Sequence, residues 1–448
     1  MNTHSVLSPI GVAPDAPQPT VLESRHLRKA SSPKLTAAYI GVLLFSIVYF
    51  ARPEDWIPGT KTLPFAKVTG FLAIGAFLLS LLGHARINRS KSTWLLLALF
   101  GQLCLAIPFS TWEGGSFEAV IYGFSKIVLI ALVLMVVANT LPRLRLLIFV
   151  QTAAVIAVSV VSLIDKTQIA GRVSGTLGGI FGNPNDLSSN ISLVLPFCFA
   201  FLLNTQRMVK KAFWLCAIIV LSYTVVVTLS RGGFLGTLAA IMSSLWYIGV
   251  KARRSRLAIL LLLPLITCVA ALVSVGGNYA ARIQSIVDAK LDQTGSSVAR
   301  QDLLLRSLEV AAKHPLVGIG PAQFSEHSGN WHVAHNSFTG LAAEAGILAS
   351  IFFIWMFVDS FRGVRRILLN QEFGPDIRLF AGALAASLIA FFVTALFSNL
   401  EYQFLPYFLV GYSSALSAIG AQQTDSVVSE QRHSIRAAKA LQGLPCVG

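Results

Sequence analysis

Residues 212–250 read AFWLCAIIVLSYTVVVTLSRGGFLGTLAAIMSSLWYIGV, and Arg231 is the only charged residue among them. About 20 helical residues cross the hydrocarbon core of a bilayer. The tract is therefore too long for one crossing and is read as two, joined by a tight hairpin at Ser230-Arg231-Gly232-Gly233. Runs of this kind recur at roughly 35–51, 64–82, 93–108, 120–139, 144–164, 187–204, 212–229, 232–250, 257–275, 337–360, 377–398 and 402–420. The expected fold is an all-α polytopic membrane protein with about 12 transmembrane helices. Composition agrees: 54% of the 448 residues are hydrophobic and 12% charged, about half the charged share of soluble domains.

A net charge of +15 raises the question of nucleic acid, and its distribution answers it. With the N-terminus inside, the inner segments hold 23 of the 35 basic residues, among them Arg143, Arg145, Arg207, Lys210, Lys211, Arg362, Arg365, Arg366 and Arg378. This is the positive-inside pattern, kept through all twelve spans, so the excess charge marks topology and no nucleic-acid partner is expected. The chain divides into a disordered cytosolic tail (1–34), helices 1–9 (35–275), a large outer loop (276–336), helices 10–12 (337–420) and a cytosolic tail (421–448). Within the outer loop, 298–313 places Val298, Leu304, Leu305, Leu308 and Ala311–Ala312 on one helical face. It is expected to be an amphipathic helix at the membrane surface. The five cysteines show no paired or metal-binding spacing.

The polar residues that break the apolar pattern gather on the outer side. In GRVSGTLGGIFGNPNDLSSN (171–190), Arg172 precedes Asn183-Pro184-Asn185-Asp186, with Asp186 placed to cap the sixth span. A helix N-terminus there would turn its positive dipole end outward, toward an anion. Arg231 is expected at a hairpin tip, free to meet lipid phosphate or an anionic ligand, with two glycines lending the turn freedom to bend. His335-Asn336 opens the tenth span, and Glu344 lies two turns further along. Arg300 and Arg306 lie on the amphipathic segment, and Lys126 sits inside the fourth span, where it either joins the site or pairs with a buried partner. One anionic ligand at the outer face accounts for the set, and a lipid-linked pyrophosphate has its charge at that depth. Arginine matches phosphate oxygens bidentately. His335 titrates near neutral pH and suits a general base. The sequence leaves open whether Glu344 orients His335 or pairs with an arginine.

GNPND, LSRGG, HPLVGIGPAQF and HNSFTGLAAEAGILAS occur in that order. In this the chain resembles the O-antigen ligase and polymerase superfamily of bacterial envelope glycosyltransferases, over roughly residues 35–420. ARPEDWIPG…LPFAK (51–67) is similar to ligase-like members tied to exopolysaccharide or protein O-glycosylation. Leu304 stands where family members often carry an aromatic residue.

The resemblance implies a GT-C-like helical bundle with a periplasmic helical loop between spans 9 and 10, in the bacterial inner membrane. It implies transfer of a glycan from undecaprenyl pyrophosphate to lipid A core, a second glycan or a protein hydroxyl. No cofactor and no metal are expected. His335 and Glu344 would be catalytic, and Arg172, Arg231 and Arg300 would hold the pyrophosphate. Asn183, Asn185, Asp186 and Asn336 would support them. The alternatives are a polymerase, a protein O-oligosaccharyltransferase and, from another class, a lipid-linked sugar transporter. A metal-dependent transferase using Glu54-Asp55 is a further one.

Overall fold

The computed structural model describes residues 33–53, 60, 63–82, 90–165, 168–169, 172–175, 181–250, 296–329 and 332–442. Helices α1 (Pro33–Ala51) and α2 (Phe65–Leu82) come first, then α3 (Lys91–Ala106) and α4 (Glu113–Val137), which widens into a π-helical stretch at Glu118–Phe124. Next come α5 (Leu141–Asp165), a small hairpin of β1 (Gln168–Ile169) and β2 (Arg172–Val173), α6 (Pro184–Asn204), α7 (Met208–Val227) and α8 (Arg231–Ser244). After them stand α9 (Ser296–Lys313), α10 (Ser337–Ala345), α11 (Ile347–Leu369), α12 (Pro375–Ala395) and α13 (Phe404–Gln442).

Among the described residues nine helices are long and apolar enough to cross a membrane, and α1 and α2 contribute two shorter apolar ones. All coincide with expected runs. The run 257–275 lies outside the described residues, as do the first part of the outer loop and nearly all of the N-terminal tail. At the other end, α13 continues to Gln442, through residues the sequence reading gave to a tail.

Contacts sort the helix ends into two groups. At one end Arg143 donates to Thr36 Oγ1 and Arg145 to Asp376, while Lys91 lies over the Trp355 ring. At the opposite end stand the α3–α4 turn, the α7–α8 hairpin, the α12–α13 loop and the described outer loop, cross-linked by the bonds described below. α6, α8 and α12 pack on one another in the centre, and α6 and α12 are buried along most of their length.

Three local expectations change. The 212–250 tract is indeed a hairpin, but its glycines serve close packing rather than bending. A Cβ at Gly232 would overlap Phe397, and one at Gly233 would overlap Ser188. The amphipathic helix splits the expected face: Ala311 is buried together with Leu303 and Ser307, while Leu305 (64% exposed), Val298 and Leu308 face outward. The helical register allows a packed stripe and an apolar outer stripe on one helix.

The expected single span 337–360 is broken into α10 and α11 at Gly346, whose φ of +86° falls where only glycine is at ease. The HPLVGIG segment lies across this break. Ile319 N–H donates to Ala343 O (3.0 Å), Gly320 N–H to Glu344 O (2.9 Å) and Ile347 N–H to Pro315 O (2.9 Å). Gln102 of α3 donates to both Leu316 O (2.7 Å) and Ala345 O (3.0 Å). A Cβ at Gly346 would collide with Leu316 O. Gly346→Ala is therefore expected to cost about 2–4 kcal/mol, the sum of a left-handed backbone and a steric overlap. Thermal melting in detergent checks this, and an unchanged midpoint would contradict it.

Candidate active site

Three helices begin at the same end of the bundle, each with its own polar cap. Asn183 caps α6, its Oδ1 accepting from Asn185 N–H at 2.9 Å. Asp186, expected to be the cap, instead sits in the first turn; Pro184, which lacks an N–H, takes the first helical position and moves the cap back to Asn183. Ser230 caps α8 by accepting from Gly233 N–H. Asn336 caps α10, its Oδ1 accepting from Phe338 and Thr339 N–H.

Hydrogen bonds link these caps. Asn185 Oδ1 accepts from Arg172 Nη2 (2.7 Å) and from Ser230 Oγ (2.9 Å), and Arg172 Nε donates to Thr228 O (2.9 Å). Arg172 on β2 is thereby fixed between the start of α6 and the hairpin tip. Arg231, the first residue of α8, follows the Ser230 cap directly. Ser189 of α6 bonds Ser398, whose carbonyl accepts from Ser337 Oγ at the start of α10 (2.7 Å). Ser337 Oγ in turn accepts from Leu400 N–H (2.8 Å). The α12–α13 loop, residues 396–403, thus joins the α6 and α10 termini. Three positive dipole ends share one region.

His335 lies immediately before α10, with φ +53°, and its N–H donates to Asn399 Oδ1 (2.9 Å). Burial first, and then the charges of Arg300, His332 and Arg172, push its imidazole pKa down to about 4. The structure therefore brings both Arg172 and Arg300 within electrostatic reach of His335. Arg231 is at the same end but is not one of the three charges acting on His335.

Glu344 is 7% exposed. Among the described residues it hydrogen-bonds neither His335 nor an arginine. Its oxygens accept from Ala322 N–H (3.0 Å), Phe324 N–H (3.2 Å) and Tyr402 Oη (2.7 Å). It pins the PAQF segment to α10. Arg306 also serves the loop, donating to Ser328 O (2.6 Å). Lys126 is exposed on the surface of α4.

Sequence reasoning passed over Ser230, Ser337, Ser398, Asn399 and Glu401. The last three belong to SNLEYQF, a polar break between two apolar runs on the outer side, and that position was the available signal. Among the described residues no group of three or more His, Cys, Asp or Glu is arranged to hold a metal.

The chain matches no curated protein. Residues 215–354 match a family model described as O-Antigen ligase. The matched segment carries Arg231, Arg300, His335 and Glu344, whereas Arg172 and the α12–α13 loop lie beyond it.

Proposed function

We infer, from the support that this match gives to membership of the O-antigen ligase superfamily, that the chain transfers a glycan from undecaprenyl pyrophosphate to an acceptor hydroxyl. The carrying observation is a neutral imidazole beside two arginines at the meeting of three helix N-termini. In this scheme His335 takes the proton of the acceptor hydroxyl. The freed oxygen forms the new bond at the anomeric carbon. The bond from that carbon to the pyrophosphate breaks, and its electron pair leaves with the pyrophosphate. Arg172, Arg231 and Arg300 hold the diphosphate, each charge contact giving about 4 kcal/mol at roughly 4 Å and an effective dielectric near 20, before desolvation. Glu344 acts as a positioning residue that holds the loop carrying this chemistry.

The basic end of the bundle faces the cytosol under the positive-inside rule. The site then faces the periplasm of a bacterial inner membrane, where a lipid-linked pyrophosphate presents its sugar. Lipid A core is the acceptor for a ligase, a second lipid-linked glycan for a polymerase, and a protein hydroxyl for an oligosaccharyltransferase.

The deciding assay offers purified protein in nanodiscs the extracted donor with each acceptor in turn, with and without EDTA. Product on one acceptor, unchanged by EDTA, supports the scheme and selects its branch. Movement of the donor across liposomes with no product would replace it with transport.

The electrostatics add a pH signature. An incoming pyrophosphate neutralises the Arg172, Arg300 and His332 charges that depress His335, so its pKa should rise when donor binds. A base must be deprotonated, so each rate falls as pH drops through the pKa of the relevant state. The acidic limb of kcat/KM, which reports free protein, is expected near pH 4, and that of kcat at higher pH. Coincident limbs would contradict this.

A further inference from the structure

The transfer scheme leaves unused two polar side chains in the α12–α13 loop, half-buried Asn399 and buried Glu401. Asn399 accepts from His335 N–H through Oδ1 and donates through Nδ2 to Glu401 Oε1 at 2.9 Å. Glu401 is 2% exposed, and among the described residues none lies within hydrogen-bond geometry of its Oε2. α10 makes room for the pair at Gly340, where a Cβ would meet Ala334 Cβ at 3.2 Å, Glu401 Oε1 at 3.5 Å and Asn399 Nδ2 at 3.6 Å.

The backbone of His335 explains why such a pair is needed. A non-glycine residue at φ +53° is strained and persists only where its surroundings over-determine it. Asn399 supplies the bond that fixes it. An asparagine amide, however, is nearly the same shape after a half-turn, and the flipped form would set an NH₂ against the His335 N–H. A carboxylate accepts and does not donate. Glu401 therefore selects the orientation in which the Asn399 oxygen faces His335.

We propose that Asn399 and Glu401 are paired positioning residues, Glu401 orienting the Asn399 amide and Asn399 fixing the left-handed backbone that aims His335 at the arginines. The aim of His335 matters through the function proposed above. Glu344, Tyr402 and Tyr407 also face Glu401, and burial together with the Glu344 charge pushes the Glu401 carboxyl up to about 7. Either protonation state offers an oxygen to Asn399 Nδ2, and when Glu401 is protonated and could also donate, the His335 N–H still disfavours the flipped amide, so positioning in the parental protein survives that titration.

Asn399→Asp removes this tolerance. Two carboxyls at hydrogen-bond distance hold together only while they share a proton, and one pKa of such a pair is raised. At high pH they repel and His335 is released. Adding Glu401→Gln restores one carboxylate and one amide with their positions exchanged.

The test compares parental protein, Asn399→Asp and Asn399→Asp/Glu401→Gln in nanodiscs at pH 6 and pH 8. It reads transfer rate and, independently of activity, hydrogen–deuterium exchange of the peptide spanning residues 333–338, each against parental protein at the same pH. The single variant is expected to be about tenfold or more slower at pH 8, with faster exchange, and to recover toward parental values at pH 6. The double variant is expected within about threefold of parental at both. A single variant indistinguishable from parental at pH 8 would overturn the proposal, as would a double variant no better than the single. Should the double variant not fold, Asn399→Ala decides: unchanged exchange and rate overturn the pairing, and raised exchange upholds it. Absence of transfer by the parental protein would sink the functional reading alone, since exchange still tests the positioning.

Discussion

His335→Ala is expected to lower kcat for glycan transfer by about 10²–10⁴-fold, the range that a positioned general base contributes. The acceptor hydroxyl, the leaving pyrophosphate and the arginines remain, so binding of donor should change little. Alanine tolerates the left-handed backbone of residue 335 no better than histidine does, which leaves folding as a rival explanation. His335→Asn removes it, because asparagine enters that region more readily and cannot serve as the base. Both variants should melt near the parental temperature in detergent and both should be slow. Parental transfer by folded His335→Asn would end the assignment.

Glu344→Ala is expected to act on stability instead. The substitution leaves the N–H groups of Ala322 and Phe324 and the hydroxyl of Tyr402 without their buried acceptor. Orphaned buried donors cost about 1–3 kcal/mol each, so a loss of roughly 3–5 kcal/mol is expected after relaxation. Glu344→Gln keeps one carbonyl oxygen and should lose about 1–2 kcal/mol. Thermal melting separates this from a catalytic role. A normal midpoint with abolished kcat in Glu344→Ala would make Glu344 part of the chemistry after all.

The membrane class and the positions of most spans were legible because both follow from continuous apolar length and from the placement of Arg and Lys, which are local properties. The α7–α8 hairpin was legible for the same reason: four residues interrupt a tract too long for one crossing. The break in the expected tenth span was not. Its residues, GLAAEAGILAS, carry no helix-stopping signal beyond one glycine, and only the positive φ of Gly346, stabilised by a segment about 30 residues earlier, stops the helix. His335 was found because a histidine at a membrane boundary is conspicuous. Asn399 and Glu401 were not, since their meaning lies in a hydrogen bond to a residue more than 60 positions away. The Arg172–Asn185–Ser230 network was half visible. Arginine and asparagine stood out, while the serine read only as part of the hairpin turn.

The clasp at Gly346 has a consequence for engineering. Altering acceptor choice by exchanging the outer loop with a relative's would naturally cut at its sequence limits, 276 and 336. Such a cut would separate Pro315–Phe324 from the Ala343–Ile347 backbone and the Glu344 carboxylate that it was built to fit. The transplantable unit instead runs from α9 through the first turn of α11. Any graft must also keep a glutamine at position 102, because Gln102 binds both halves of that unit from a helix far outside it.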